Sequence, residues 1–233
     1  FLSWTSPAGA HRYALYVPPA EIARPPYALV VFLHGRGESG SDGVKQTSVG
    51  LIPAVLNNPE RWPCIILAPQ KPEFNPLWPT EESVVMAEIE MIRSQFPIDE
   101  NRIALTGLSQ GGNGTWMFAA AHPDLWSALA PVCGFSRDLP PAQIAQKTRH
   151  IPTWAFHGLK DNVVPPEQTK AIIDALRASG PTAEIKYTEF PEANHNSWDA
   201  AYRGDGLASW LLSQTRGNRS TSEPNPPSTT NTR

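Results

Sequence analysis

The sequence predicts an α/β protein, a single domain built on a mostly parallel central sheet with helices on both faces. Three observations predict it. Between Ala28 and Phe190, short aliphatic or β-branched runs alternate with longer helical patterns, the order that lays parallel strands beneath crossover helices. The chain has 233 residues and 40% hydrophobic content, enough to bury one large core. No stretch approaches the ~18 consecutive apolar residues that a spanning helix needs, so the expectation is a soluble protein with no membrane span.

Strands are expected at Tyr13 to Val17, Ala28 to Leu33, Cys64 to Ala68, Arg102 to Thr106, Ala128 to Cys133, Thr153 to His157 and Glu184 to Phe190. The clearest helix runs from about Glu81 to Phe96. Thr80 is placed as its N-cap, Glu81 and Glu82 in its first turn, and Val85, Ile89, Ile92 and Phe96 on one face. Another spans about Pro166 to Ser179 and stops at Gly180-Pro181. From Gly217 the chain lacks aliphatic and aromatic residues and is rich in Ser, Thr, Asn and Pro, so 1–216 reads as the domain and 217–233 as a polar tail or linker.

A net charge of −3 with scattered Lys and Arg forms no basic stripe, which argues against a nucleic-acid partner and for a small-molecule substrate. Cys64 and Cys133 lie in separate strand-like runs and read as buried thiols. The six histidines form no metal-binding pattern, so neither metal nor cofactor is expected. The first residue is Phe1 rather than Met, as expected where a targeting segment has been removed; location is undetermined, with secreted or periplasmic favoured over cytoplasmic. Oligomeric state is not legible.

Residues 106–112, TGLSQGG, carry the chemistry. A bare G-x-S-x-G is a common turn, but here Ser109 follows a buried central strand and precedes a helix starting near Gln110. Such an elbow strains the serine backbone, and glycines at 107 and 111 make room for it. A serine hydroxyl is a poor nucleophile and needs a base and an orienting acid. FHGLKDNVVP places Asp161 after the Thr153 strand, and EANHNSWD places His195 after the last strand. His157 is a rival base, read as structural; Asp199 and Asp205 are weaker rivals for the acid. The loop 34–40, HGRGESG, ends another buried strand, and the backbone N–H groups of Arg36 and Gln110 are assigned to an oxyanion hole. Trp78, Phe135 and Trp198 lie near these loops and could form an apolar substrate wall, although each is also a residue type that packs cores.

The motifs HGRGESG, LAPQ, GLSQGGNGTWMFAAAHPDLWSALAPVCG, HGLKDNVVP and HNSWDAAY resemble the α/β-hydrolase superfamily, and within it the small phospholipase/carboxylesterase, dienelactone-hydrolase-like and predicted-peptidase esterases, with likeness to feruloyl esterases. The resemblance covers roughly residues 11–213. It departs at the amino end, where the sheet is expected to lack a full first strand. Only 134–152 separate two strands where lid-bearing relatives insert a cap, so no cap domain and an open site are expected. The resemblance implies a serine hydrolase cleaving carboxylic esters of small or aromatic acyl groups. Its alternatives are a feruloyl or acetyl esterase acting on plant polysaccharide, a thioesterase or peptidase, and a silent binding protein on the same fold.

Overall fold

Apolar side chains on both faces of the central strands determine the architecture. In β3 (Tyr27–Leu33), Leu29, Val31 and Leu33 enter one hydrophobic cluster while Ala28, Val30 and Phe32 enter another, all buried. A strand covered on both sides reads as a continuous apolar run, which is what Ala28 to Leu33 is. The computed structural model describes the backbone of residues 2–5 and the whole of residues 11–217. The expected tail therefore lies outside the described residues, apart from Gly217.

Among the described residues eight strands form one sheet: β1 (Leu2–Thr5), β2 (Arg12–Tyr16), β3, β4 (Ile65–Gln70), β5 (Ile98–Leu108), β6 (Ala128–Val132), β7 (Thr153–Gly158) and β8 (Ile185–Phe190). Their order is β1-β2-β4-β3-β5-β6-β7-β8. β1 and β2 pair antiparallel, β2 joins β4 antiparallel, and the remaining pairs are parallel. The expectation of an incomplete amino end is thus corrected. Residues 2–5 pair with Arg12 to Leu15 and close that edge with an antiparallel ribbon, which a four-residue segment did not advertise as a strand.

Among the described residues seven α-helices cover the sheet: α1 (Leu51–Asn57), α2 (Glu82–Gln95), α3 (Gln110–Ala121), α4 (Pro141–Thr148), α5 (Pro166–Ala178), α6 (Trp198–Arg203) and α7 (Leu207–Ser213). Buried residues of α2, α3, α4 and α5 join the cluster of Leu29 and Leu105; those of α1, α6 and α7 join the cluster of Val30 and Phe32. α2 buries Val85, Ile89 and Ile92 as its periodicity predicts. Thr80 is not its N-cap. A 3₁₀ turn at Trp78–Glu81 comes first, the Thr80 hydroxyl donates back to the Leu77 carbonyl at 2.9 Å, and Glu81 takes the cap position. Phe96 lies just past the helix in extended backbone and is partly buried against the same core.

Between β6 and β7 the chain adds only α4 and its flanking turns. Among the described residues no helix is long and apolar enough to cross a membrane. The carboxyl ends of β3, β5, β7 and β8 all lie at one end of the sheet, and every sequence-assigned site residue except Trp78 follows one of these strands or β6.

Candidate active site

The turn between β5 and α3 is built by close backbone approach. Ser109 has φ 55° and ψ −115°, a conformation that side chains other than glycine rarely adopt. It is held by its own N–H donating to Val132 O at 2.9 Å and by Asn113 N–H donating to Ser109 O at 3.0 Å. Two residues on, a Cβ at Gly111 would stand 1.9 Å from Leu33 O, so only glycine lets α3 start against the end of β3.

Ser109 Oγ lies 3.0 Å from His195 Nε2, and His195 Nδ1 lies 2.7 Å from Asp161 Oδ2. Nδ1 faces a carboxylate and so carries the proton, which leaves Nε2 free to accept from the serine hydroxyl. The other Asp161 oxygen accepts from the N–H groups of Val163 and Val164, each at 2.9 Å. Burial acts to raise the Asp161 pKa, but the bonds from His195 and from the Val164 and Val163 N–H groups outweigh it and leave the carboxyl below its ordinary value.

His157 is completely buried, and its partners are Asp161 Oδ2 at 3.1 Å, Val164 O at 2.9 Å and Thr169 Oγ1 at 2.8 Å. Burial pushes its pKa down; its Nε2 faces the Asp161 carboxylate and Val164 O, and its Nδ1 the Thr169 hydroxyl, which itself donates to Gly134 O at 2.7 Å. It bonds Asp161 but not Ser109. Asp199 and Asp205 have other partners: Asp199 pairs with Asn196 and Arg203, and Asp205 with Arg61.

A cleft of about 360 Å³ opens over this row, lined by Arg36, Leu108, Ser109, Gln110, Phe135, Val163, His195 and Trp198 among others. Arg36 and Gln110 border it from the β3 and β5 ends, and among the described residues neither backbone N–H donates to a protein acceptor. The Arg36 guanidinium lies 5.7 Å from the centroid of the Phe74 ring, and Gln110 Nε2 donates to Phe74 O at 3.3 Å. Phe74, half exposed beside the cleft, is a neighbour that the sequence reading missed.

The three aromatic residues separate. The Trp198 and His195 rings stand nearly perpendicular, with centroids 5.5 Å apart, and Phe135 lines the cleft with its backbone carbonyl held by Asn113 Nδ2 at 3.0 Å. Trp78 is a correction: it is completely buried, its indole N–H donates to His34 O at 3.0 Å, and its side chain packs under Gly114. It cannot wall a substrate, because β3 and α3 enclose it.

Cys133, Asp161 and His195 offer ligand atoms within 4.8 Å of one another, a grouping that could hold a metal ion. Burial pushes the Cys133 thiol up to about 12, and Asp161 and His195 are already bonded to each other at 2.7 Å. Cys64 is likewise a buried free thiol.

Residues 75–203 match the sequence profile of the dienelactone hydrolase family, more than half of the chain. The chain belongs to the dienelactone hydrolase family. The matched span of this family contains Ser109, Asp161 and His195, whereas the 34–40 loop lies outside it. A protein of Escherichia coli K12, provisionally named a carboxymethylenebutenolidase, is 31% identical over 131 residues, covering 52% of this chain and 47% of that protein. The chain thus spans about half the length of the curated relatives it matches. A solved thermostable esterase superposes with TM-score 0.77 at 32% identity, covering 92% of this chain and 62% of the other. The feruloyl esterase module from Clostridium thermocellum superposes with TM-score 0.68 at 16% identity, covering 89% of this chain and 85% of that module, a likeness of fold alone.

Proposed function

We propose that this member of the dienelactone hydrolase family hydrolyses carboxylic esters with Ser109 as nucleophile. One observation carries the reading: the continuous row from Ser109 Oγ through His195 to Asp161, at 3.0 and 2.7 Å. Family membership and the likeness to a solved esterase support it.

In this mechanism Ser109 Oγ attacks the ester carbonyl carbon while His195 Nε2 takes its proton. The carbonyl oxygen becomes an oxyanion, and the N–H groups of Arg36 and Gln110 donate to it. His195 then hands the proton to the departing alcohol oxygen, leaving an acyl group on Ser109. Water then attacks the acyl carbon, giving a proton to His195, which passes it to Ser109 Oγ as the acid leaves. Asp161 keeps Nδ1 protonated and stabilises the imidazolium formed in each half. The acyl group occupies the cleft between Phe135, Leu108 and Trp198, whose volume suits a short chain or one aromatic ring.

Initial rates on short p-nitrophenyl esters test this directly. The wild-type chain should turn them over, and Ser109→Ala should lose roughly 10⁴-fold or more in kcat while keeping its fold. A folded Ser109→Ala variant that retained a tenth of the wild-type rate would overturn the assignment.

A further inference from the structure

Lys71 is completely buried, and the chemistry above makes no use of it. It follows β4 and joins two loops. Its N–H donates to His34 Nε2 at 2.9 Å, and its carbonyl accepts from Gly40 N–H at 3.0 Å, so its backbone is tied to both ends of the 34–40 loop. Its ammonium has three protons and finds three acceptors: Ser39 Oγ at 3.2 Å, Phe74 O at 3.4 Å, and Glu73 O.

Those acceptors lead to the cleft from two sides. Ser39 belongs to the loop that carries Arg36. Phe74 offers its carbonyl to Gln110 Nε2 and lies with its ring near the Arg36 guanidinium. A buried charge is costly unless it is fully hydrogen-bonded, so the arrangement holds only while all three bonds are made.

We propose that Lys71 is a positioning residue for the oxyanion hole, its ammonium fastening the 34–40 loop to the 73–76 loop so that the N–H groups of Arg36 and Gln110 converge. The inference rests on the esterase reading above. The ammonium holds all three acceptors with a full charge, whereas the neutral amine bonds the same oxygens with two protons and a lone pair and without the charge, so deprotonation weakens the tie between the two loops. Burial lowers the Lys71 pKa; Glu81 and Glu73 act to raise it and Arg36 to lower it, while the neighbouring His34 is neutral. The loss therefore falls at a pH below the usual lysine range.

Lys71→Met, neutral and of similar length, tests this. With folding checked by cooperative thermal unfolding, kcat should fall roughly 10- to 100-fold, a fraction of what deleting an oxyanion donor costs. KM should stay within about threefold, because the loss lies in the transition state. Wild-type kcat should decline on the alkaline side, and the variant should lack that limb. A folded Lys71→Met with wild-type kcat, or with the alkaline limb intact, overturns the inference. Ser39→Ala, which removes the ammonium's acceptor in the 34–40 loop and keeps the charge, should lower kcat roughly 3- to 10-fold with a shallower alkaline limb; no change in kcat also overturns it. Full activity in these variants beside an inactive Ser109→Ala removes the Lys71 role alone. An active Ser109→Ala removes the function beneath it.

Discussion

Gly158 and Asn194 touch so closely that a Cβ on the glycine would stand 2.3 Å from the Asn194 carbonyl oxygen. Gly158 ends the strand leading to Asp161, and Asn194 precedes His195, so the two loops are set against each other by one absent side chain. Lys160 N–H donates to Ala193 O at 2.9 Å across the same seam.

Gly158→Ala should therefore force the loops apart. Overpacking of this kind costs roughly 1–3 kcal/mol, readable as a lower urea midpoint, and kcat should fall with it as His195 leaves its bond to Ser109. A variant with wild-type stability and rate would show that the seam has slack.

The acid role can be ranked. Asp161→Asn should preserve the fold but misorient His195, lowering kcat roughly 10²- to 10⁴-fold, whereas Asp199→Asn, which touches Asn196 and Arg203, should change it little. The reverse ranking in a steady-state assay would move the role to Asp199.

His34 links pH to stability. Burial is the largest influence and lowers its pKa to about 3, with its ring held between Gly35 O at 2.5 Å and the Lys71 N–H at 2.9 Å. The unfolded chain takes up a proton near the ordinary value of about 6.5, and the folded chain does not, so the unfolded state binds more protons between those values. Stability is therefore full above about pH 6.5 and falls on acidification by up to ~1.4 kcal/mol per pH unit from this group. Urea unfolding of wild type and His34→Gln at pH 6, 5 and 4 measures it: the variant should show a shallower slope. Equal slopes would mean that His34 is protonated in the folded protein.

Substrate size should be read by Trp198. Across straight-chain acyl esters, kcat/KM should peak at short chains or at a planar aromatic acyl group, since each methylene contributes up to ~0.8 kcal/mol only while the wall can cover it. Trp198→Ala should flatten that preference. Trp78→Ala should instead lower stability by roughly 3–5 kcal/mol with the preference unchanged, because its ring is core. A rate that climbed steadily to long chains would contradict the small cleft.

The contrast between these two tryptophans shows what the residues alone could disclose. That Ser109, Asp161 and His195 meet could be expected from the residues, because each follows a strand-like run in the order that such folds use, although the run before His195, IKYTEF, is only partly buried. The burial of Trp78 could not, since an aromatic ring in a proline-bracketed turn can face either a cleft or a core, and only the approach of α3 at Gly114 decides. His34, Lys71, His157 and Gly158 gained their meaning from contacts with distant or folded-back segments, which no local pattern records. β1 was missed for the same reason: its pairing with β2 makes it a strand.

The central claim is that Ser109 is the nucleophile, and its most direct test is the mass-mapped site of labelling by a fluorophosphonate. The account predicts one phosphonyl group per chain, carried by the peptide containing Ser109, with esterase activity lost in proportion to labelling and no adduct on Ser109→Ala. Full activity in an unlabelled protein, or an adduct on any other residue that tracks the loss, would contradict it.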